Sequence, residues 1–222
     1  MVNSASPPPS PRAAERSLAV SYARPASRDA LAALFALDER LGGIVRAARA
    51  PLVGQMRLTW WHDALTALDG SPPPAEPVLE ALARDALPRG VRGEALAGMI
   101  DGWEALLDEG ALDEAALRLF ARERGGRLFT AAARALGADD PVEVVGEGWA
   151  LADLAAHWTD PAGVALAERM ARERLERAPR RWSRAARPLG ALTLLARADL
   201  SGSRPGDPAR VVGLLRLRFT GR

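Results

Sequence analysis

No part of the chain shows sustained alternation of apolar and polar residues between turn signals, and this constrains the fold more than any other feature. Apolar residues recur instead at helical spacing, in segments cut by proline and glycine. A chain of 222 residues patterned this way can bury one sizeable core. The sequence therefore predicts an all-α, single-domain bundle of about eight or nine helices.

The clearest segment is Pro51 to Gly70, PLVGQMRLTWWHDALTALDG. At ~100° per residue its apolar arc runs from Val53 and Met56 through Trp60 and Trp61 to Leu65 and Leu68. Pro51 suits the first helical position and Gly70 the left-handed residue beyond the end. Arg57 lies near the middle of that arc, where an unpaired guanidinium would be costly. Two readings stand: Arg57 is a structural residue that pairs or snorkels along its own stem, or it lines a pocket and holds an anionic ligand.

Upstream, residues 1–11 read as a flexible lead-in rich in proline, followed by a helical domain over 12–222. A short helix from Arg12 ends at Arg24-Pro25, and Ser27 caps a long helix to Arg49. Asp38 sits within the apolar face of that long helix, one helix before Arg57. Asp38 and Arg57 are therefore expected to approach each other or share a pocket across antiparallel neighbours.

Further helices are expected over 77–87, 94–109, 113–136, 141–158, 162–177, 181–200 and 209–219. Asp113 is a plausible cap, Gly125-Gly126 allow a bend or a close crossing, and Pro188 should kink the helix that holds it. The helix from Pro141 has small inward residues around Trp149, which admit a neighbouring helix or leave room for a ligand.

Composition removes several chemistries. Without cysteine there is neither disulfide nor thiolate, and His62 and His157 alone cannot make a histidine-rich metal site. All 30 basic residues are arginine, which explains a pI of 10.1 beside a net charge of only +2. The pI is thus a poor argument for nucleic acid, for which no motif exists. The start lacks the character of a signal peptide, and no run of roughly 18 apolar residues follows, so a soluble, cytoplasmic protein is expected.

The remaining candidates have a functional and a structural reading. Trp60, Trp61 and Trp149 could floor a cavity and face a carbocation with π density, but core filling is the favoured account. Asp153 and His157, four apart, make a weak metal pair or a hydrogen-bonded pair. The segment ARERLERAPRRWSR could dock on anionic lipid or an acidic partner, against the favoured reading of a solvated face.

The runs RDALAALFALDERLGGIV and APLVGQMRLTWWHDAL, with the later GWALADLAAHW and RPLGALTLLARADL, resemble the squalene/phytoene synthase family. The likeness is greatest to a bacterial branch similar to mitochondrial complex I assembly factors. This resemblance implies the isoprenoid synthase fold, with helices around a central cavity. Active members hold magnesium ions on two aspartate-rich motifs of facing helices and ionise a prenyl diphosphate there. Laid on that pattern, Gly42, Gly43 and Arg46 stand where the first acids belong. His157 and Pro161 stand where the second pair belongs, with Asp153 one turn earlier, and no D-D-x-x-D or D-x-x-x-D occurs in the chain.

The resemblance therefore implies a catalytically degenerate relative, without a cofactor, acting as a binding or respiratory-complex assembly factor. Arg57, Asp38, Trp61, Asp153 and His157 would maintain or line its residual cavity. One alternative is an active Mg2+-dependent prenyltransferase, which needs acids converging from two helices onto one cavity. The other is a polyprenyl lipid carrier, which needs an apolar cavity with Arg57 near its mouth. Peripheral contact with the inner face of a membrane stays open.

Overall fold

The computed structural model describes residues 11–107 and 112–222, and every regular element in them is helical. The flexible lead-in expected over 1–11 and the end of the helix expected to reach Glu109 fall almost wholly outside the described residues. Twelve α-helical segments occur among the described residues, several of them only one or two turns long, against the eight or nine expected.

Three long helices come first: α1 (Pro11–Ser21), α2 (Pro25–Ala47) and α3 (Pro51–Ala67). α4 (Pro77–Ala81) runs into a wide π turn and a single 3-10 turn, and the short α5 (Gly93–Ala97) and α6 (Met99–Glu104) follow. α7 (Glu114–Phe120) and α8 (Arg127–Leu136) are joined without a break by a π turn over Ala121–Gly126. The chain closes with α9 (Glu143–Ala155), α10 (Pro161–Leu175), α11 (Arg187–Leu200) and α12 (Pro208–Thr220).

Local chemistry explains most of the boundaries. Pro25, Pro51, Pro77, Pro161 and Pro208 sit in first turns, where a missing amide proton costs nothing. Asp113 accepts from Ala116 N at 2.8 Å, the cap expected of it, and Asp160 does the same for Gly163. Ser27 is not a cap: Pro25 already starts α2, and the buried Ser27 hydroxyl accepts from Arg89 at 3.2 Å. Pro188 causes no kink either, because α11 begins at Arg187 and the proline lies in its first turn.

The largest departure from the sequence reading is the orientation of α3. Its buried stripe is Gly54, Leu58, Trp61 and Leu65, whereas Val53, Met56 and Trp60 face outward and Arg57 is exposed. Two apolar stripes compete on this helix, and the one containing glycine wins. A Cβ at Gly54 would lie 2.9 Å from Leu107 Cδ2, so only that face can come so close to its neighbour. Shape complementarity outweighs summed hydrophobicity here.

The small residues of α9 likewise serve packing. A Cβ on Gly146 would lie 2.3 Å from Gly125 O, and one on Gly125 would lie 2.2 Å from Gly146 O. α9 therefore crosses the π turn of 121–126 nearly backbone to backbone, which fixes the position of Arg124 inside the bundle. No helix among the described residues is long and apolar enough to cross a membrane.

Candidate functional site

At the centre of the bundle lies a buried ion cluster built from three elements. Asp38 projects from α2, Asp153 from α9 and Arg124 from the π turn. The Arg124 fork donates from Nε to Asp38 Oδ1 at 2.7 Å and from Nη2 to Asp38 Oδ2 at 2.8 Å. The same Nη2 donates to Asp153 Oδ2 at 2.7 Å. Asp38 is 1% exposed, Arg124 2%.

An aromatic box surrounds the guanidinium. Its carbon lies 4.4 Å from the ring centre of Trp103, 4.9 Å from Trp149 and 5.2 Å from Phe120. Arg16 of α1 closes the outer side, 3.6 Å from Asp153 and 5.9 Å from the centre of the Trp149 ring. The neighbouring Glu123 is also buried and is neutralised by Arg122 at 2.7 Å and by Arg127.

Charge and burial act together on titration. Burial alone would lower the pKa of Arg124, but Asp38 and Asp153 overcome it and hold the guanidinium more firmly protonated than usual. Burial raises Asp153, yet Arg124 and Arg16 outweigh it and leave the carboxyl below its ordinary 3.8. Arg124 and Asp153 are therefore both held in their charged, paired forms, and neither is poised to exchange a proton near neutrality.

The residues singled out from the sequence separate into two groups. Asp38, Asp153 and Trp149 meet at the central cluster. His157 touches only its edge: Nδ1 lies 2.7 Å from the Asp153 backbone oxygen, and the ring is exposed. Arg57, Trp60 and Trp61 line a different feature, an open groove of about 900 Å³ with Arg40, Arg46 and Gly43. In it Arg40 pairs with Glu76 at 3.1 Å and Arg46 with Glu39 at 2.9 Å. The expected approach of Asp38 to Arg57 does not occur, because α3 turns Arg57 outward and Arg124 takes the Asp38 carboxylate.

Arg124 itself escaped the sequence reading. The signal was present: Leu117, Phe120, Ala121, Arg124 and Leu128 form one helical stripe with a single charge inside it. That is the same anomaly that drew attention to Asp38.

The cluster leaves little free space. The cavity beside Asp153, Trp149 and Arg16 holds about 60 Å³, room for a water or two and far below the several hundred Å³ of an ordinary ligand pocket. Where the first acidic motif would stand, a Cβ on Gly42 would already lie 2.8 Å from Trp103 Cη2. The indole occupies the room that a side chain at position 42 would need. Among the described residues no group of three or more histidine or acidic side chains converges in a way that could hold a metal ion. Asp38 and Asp153 do converge from two helices, but on a guanidinium, so this donor set does not fit magnesium.

Comparison with known proteins gives one positive finding. The family model for squalene/phytoene synthase matches residues 11–170, a stretch that contains Asp38, Arg124 and Asp153. No curated protein and no solved structure matches the chain. The all-helical architecture and the matched stretch agree, and the chain belongs to the squalene/phytoene synthase family.

Proposed function

We propose that this family member does not condense prenyl diphosphates and acts instead as a non-catalytic binding or assembly factor. The carrying observation is the position of Arg124, bonded to Asp38 and Asp153 at 2.7–2.8 Å. A permanent side-chain cation joins the inward carboxylates of two helices, one helical turn before the positions where the resemblance puts the family's metal-binding acids. Expelling a diphosphate leaving group needs its growing charge neutralised by divalent ions. A guanidinium locked in an aromatic box supplies no open coordination position.

Two further features support a binding role. The outward stripe of α3 exposes Leu52, Val53, Met56 and Trp60 beside Arg57, more apolar surface than a helix with no partner needs. The resemblance of APLVGQMRLTWWHDAL to the assembly-factor branch makes a respiratory-complex subunit the proposed partner class. The groove beside Arg57 favours a second reading, a carrier that binds a prenyl diphosphate without turnover.

Incubating the purified chain with farnesyl or geranylgeranyl diphosphate and Mg2+ separates these readings. The assembly reading expects neither product nor binding. Steady formation of squalene or phytoene overturns it. Binding without turnover, lost in Arg57→Ala, establishes the carrier.

A further inference from the structure

Five arginines converge on a cleft lined by no acidic residue. Arg24 and Arg28 come from the α1–α2 junction, Arg184 and Arg187 from the approach to α11, and Arg218 from α12. They surround a cavity of about 700 Å³ that Tyr22 and Phe219 also line. The hydrogen bonds these arginines make run to backbone oxygens: Arg28 to Ser21 at 3.2 Å, and Arg187 to Arg218 at 2.6 Å. The Arg187 Nε and the Tyr22 hydroxyl are buried with no partner among the described residues. Like charges gathered in this way repel one another, and a multivalent oxyanion would relieve the repulsion and satisfy the idle donors. Arginine forks match phosphate oxygens in particular.

The cleft adjoins an apolar face. Val211, Val212, Leu215 and Phe219 form one outward stripe of α12, with Phe219 76% and Val212 64% exposed. Arg216 and Arg218 flank that stripe, and residues 208–222 include no acid. Phe219 belongs to both the stripe and the cleft, so the apolar level and the arginine level are continuous. This is the pattern of a helix that lies in the interface of an anionic bilayer.

The face is held rigidly by what lies behind it. Arg210, on the inner side of α12, pairs with Glu15 at 2.6 Å and Asp199 at 2.7 Å. At the far end Gly221 adopts φ 76°, and its carbonyl accepts from Trp182 N at 2.8 Å, which keeps the α12 terminus against the segment that carries Arg184. The cleft shares no lining residue with the central cluster of Asp38, Arg124 and Asp153 or with the small cavity beside it.

We propose that this face docks on an anionic phospholipid bilayer. The arginine cleft takes headgroup phosphate, while Val212, Leu215 and Phe219 enter the boundary between headgroups and acyl chains. The proposal holds whether or not the central cluster is catalytically silent.

The test is sedimentation of the full chain with vesicles of phosphatidylcholine alone and of phosphatidylcholine containing phosphatidylglycerol. Binding is expected only to the anionic vesicles and should weaken as salt is raised. Arg24→Glu with Arg184→Glu, both at exposed positions, should weaken it by about fivefold or more for each arginine changed. Leu215→Ser with Phe219→Ser should weaken it by about tenfold on the same vesicles. Thermal melts report whether each variant keeps its fold, and the comparison of the two vesicle types uses the unaltered chain. Equal binding to both vesicle types, or undiminished binding by the folded Arg24→Glu/Arg184→Glu variant, overturns the proposal. Binding of inorganic diphosphate with no binding to anionic vesicles also overturns it and assigns the cleft to a soluble anion.

Discussion

Arg124 and Asp38 are 86 residues apart in the chain and meet as a two-point clasp, Nε to Oδ1 at 2.7 Å and Nη2 to Oδ2 at 2.8 Å. The clasp ties the π turn to α2, and the shared Nη2 ties both to α9 through Asp153. Removing the cation strands two carboxylates against aromatic faces, a larger penalty than the pair's net contribution. Arg124→Met should therefore destabilise the fold by about 3–5 kcal/mol in urea titrations. Arg124→Lys keeps the charge but not the fork and should fall between the two. Replacing all three members by apolar residues of similar volume should recover most of the loss. An Arg124→Met loss below about 1 kcal/mol would show that the cluster does not hold the bundle together.

Acid should also weaken this part of the bundle. Asp153 has a folded pKa below its ordinary 3.8, because Arg124 and Arg16 outweigh the effect of burial. Glu123 is lowered below 4.5 by Arg127 and Arg122, again against burial. A carboxyl with a depressed folded pKa contributes stability that is complete above its unfolded pKa and is lost as pH falls through the folded value. Unfolding midpoints should thus be flat with respect to these groups above about pH 5 and fall steeply below about pH 4. In Asp153→Asn the part of the fall due to Asp153 should vanish, which a melting series from pH 2 to 7 would reveal.

Glu104 titrates in the opposite sense. Burial and the nearby Asp101 raise its pKa above 4.5, with His62 opposing them. Its contribution is favourable below the unfolded pKa and is lost as pH rises through the folded one, so the ionised group carries a cost at neutrality. Glu104→Gln should raise stability at pH 7 by about 0.5 kcal/mol, and the gap should close below about pH 4. A lower melting temperature at pH 7 would contradict this account.

Helix content, the proline and aspartate starts and the inward Asp38 could all be read from the sequence, because each depends on a few adjacent residues. The face of α3 could not. Its choice was made by the approach of Leu107 to Gly54, a contact between distant segments that no periodicity encodes. The same limit hid the partner of Asp38. Arg124 lies on the apolar stripe of its own helix, but its meeting with Asp38 is set by the π turn and by the backbone contact between Gly125 and Gly146. A buried charge can be recognised on its own helix, whereas its counterion is decided by the crossing of other helices.

Two helical glycines should respond in opposite directions. At Gly146 a methyl group would press on a backbone oxygen at 2.3 Å and on Phe129 Cβ at 2.7 Å, neither of which can swing away. Gly146→Ala should cost about 1–3 kcal/mol by forcing α9 off the π turn. At Gly43, inside α2, an added Cβ meets nothing within 4 Å. Gly43→Ala should stabilise by up to about 1 kcal/mol through helix propensity and a less flexible unfolded chain. Chemical denaturation of the two variants side by side checks both signs.

Arg210 provides the corresponding test at the other end of the bundle. Its side chain is 2% exposed and is bonded to Glu15 Oε1 at 2.9 Å, Glu15 Oε2 at 2.6 Å, Asp199 Oδ1 at 2.7 Å and Ser203 O at 3.0 Å. α12 therefore joins α1 and α11 through one cation. Glu15 and Asp199 are partly solvated, which moderates the cost of leaving them unpaired. Arg210→Leu should lower stability by about 2–3 kcal/mol, less than the roughly 3–5 kcal/mol of a fully buried broken pair. The loss should be local, with α12 opening before the central cluster. Hydrogen exchange would then show faster amide exchange over 208–220 in the variant while α2 and α9 keep their protection. Uniform loss of protection across all three helices would mean instead that α12 and the core unfold as one unit.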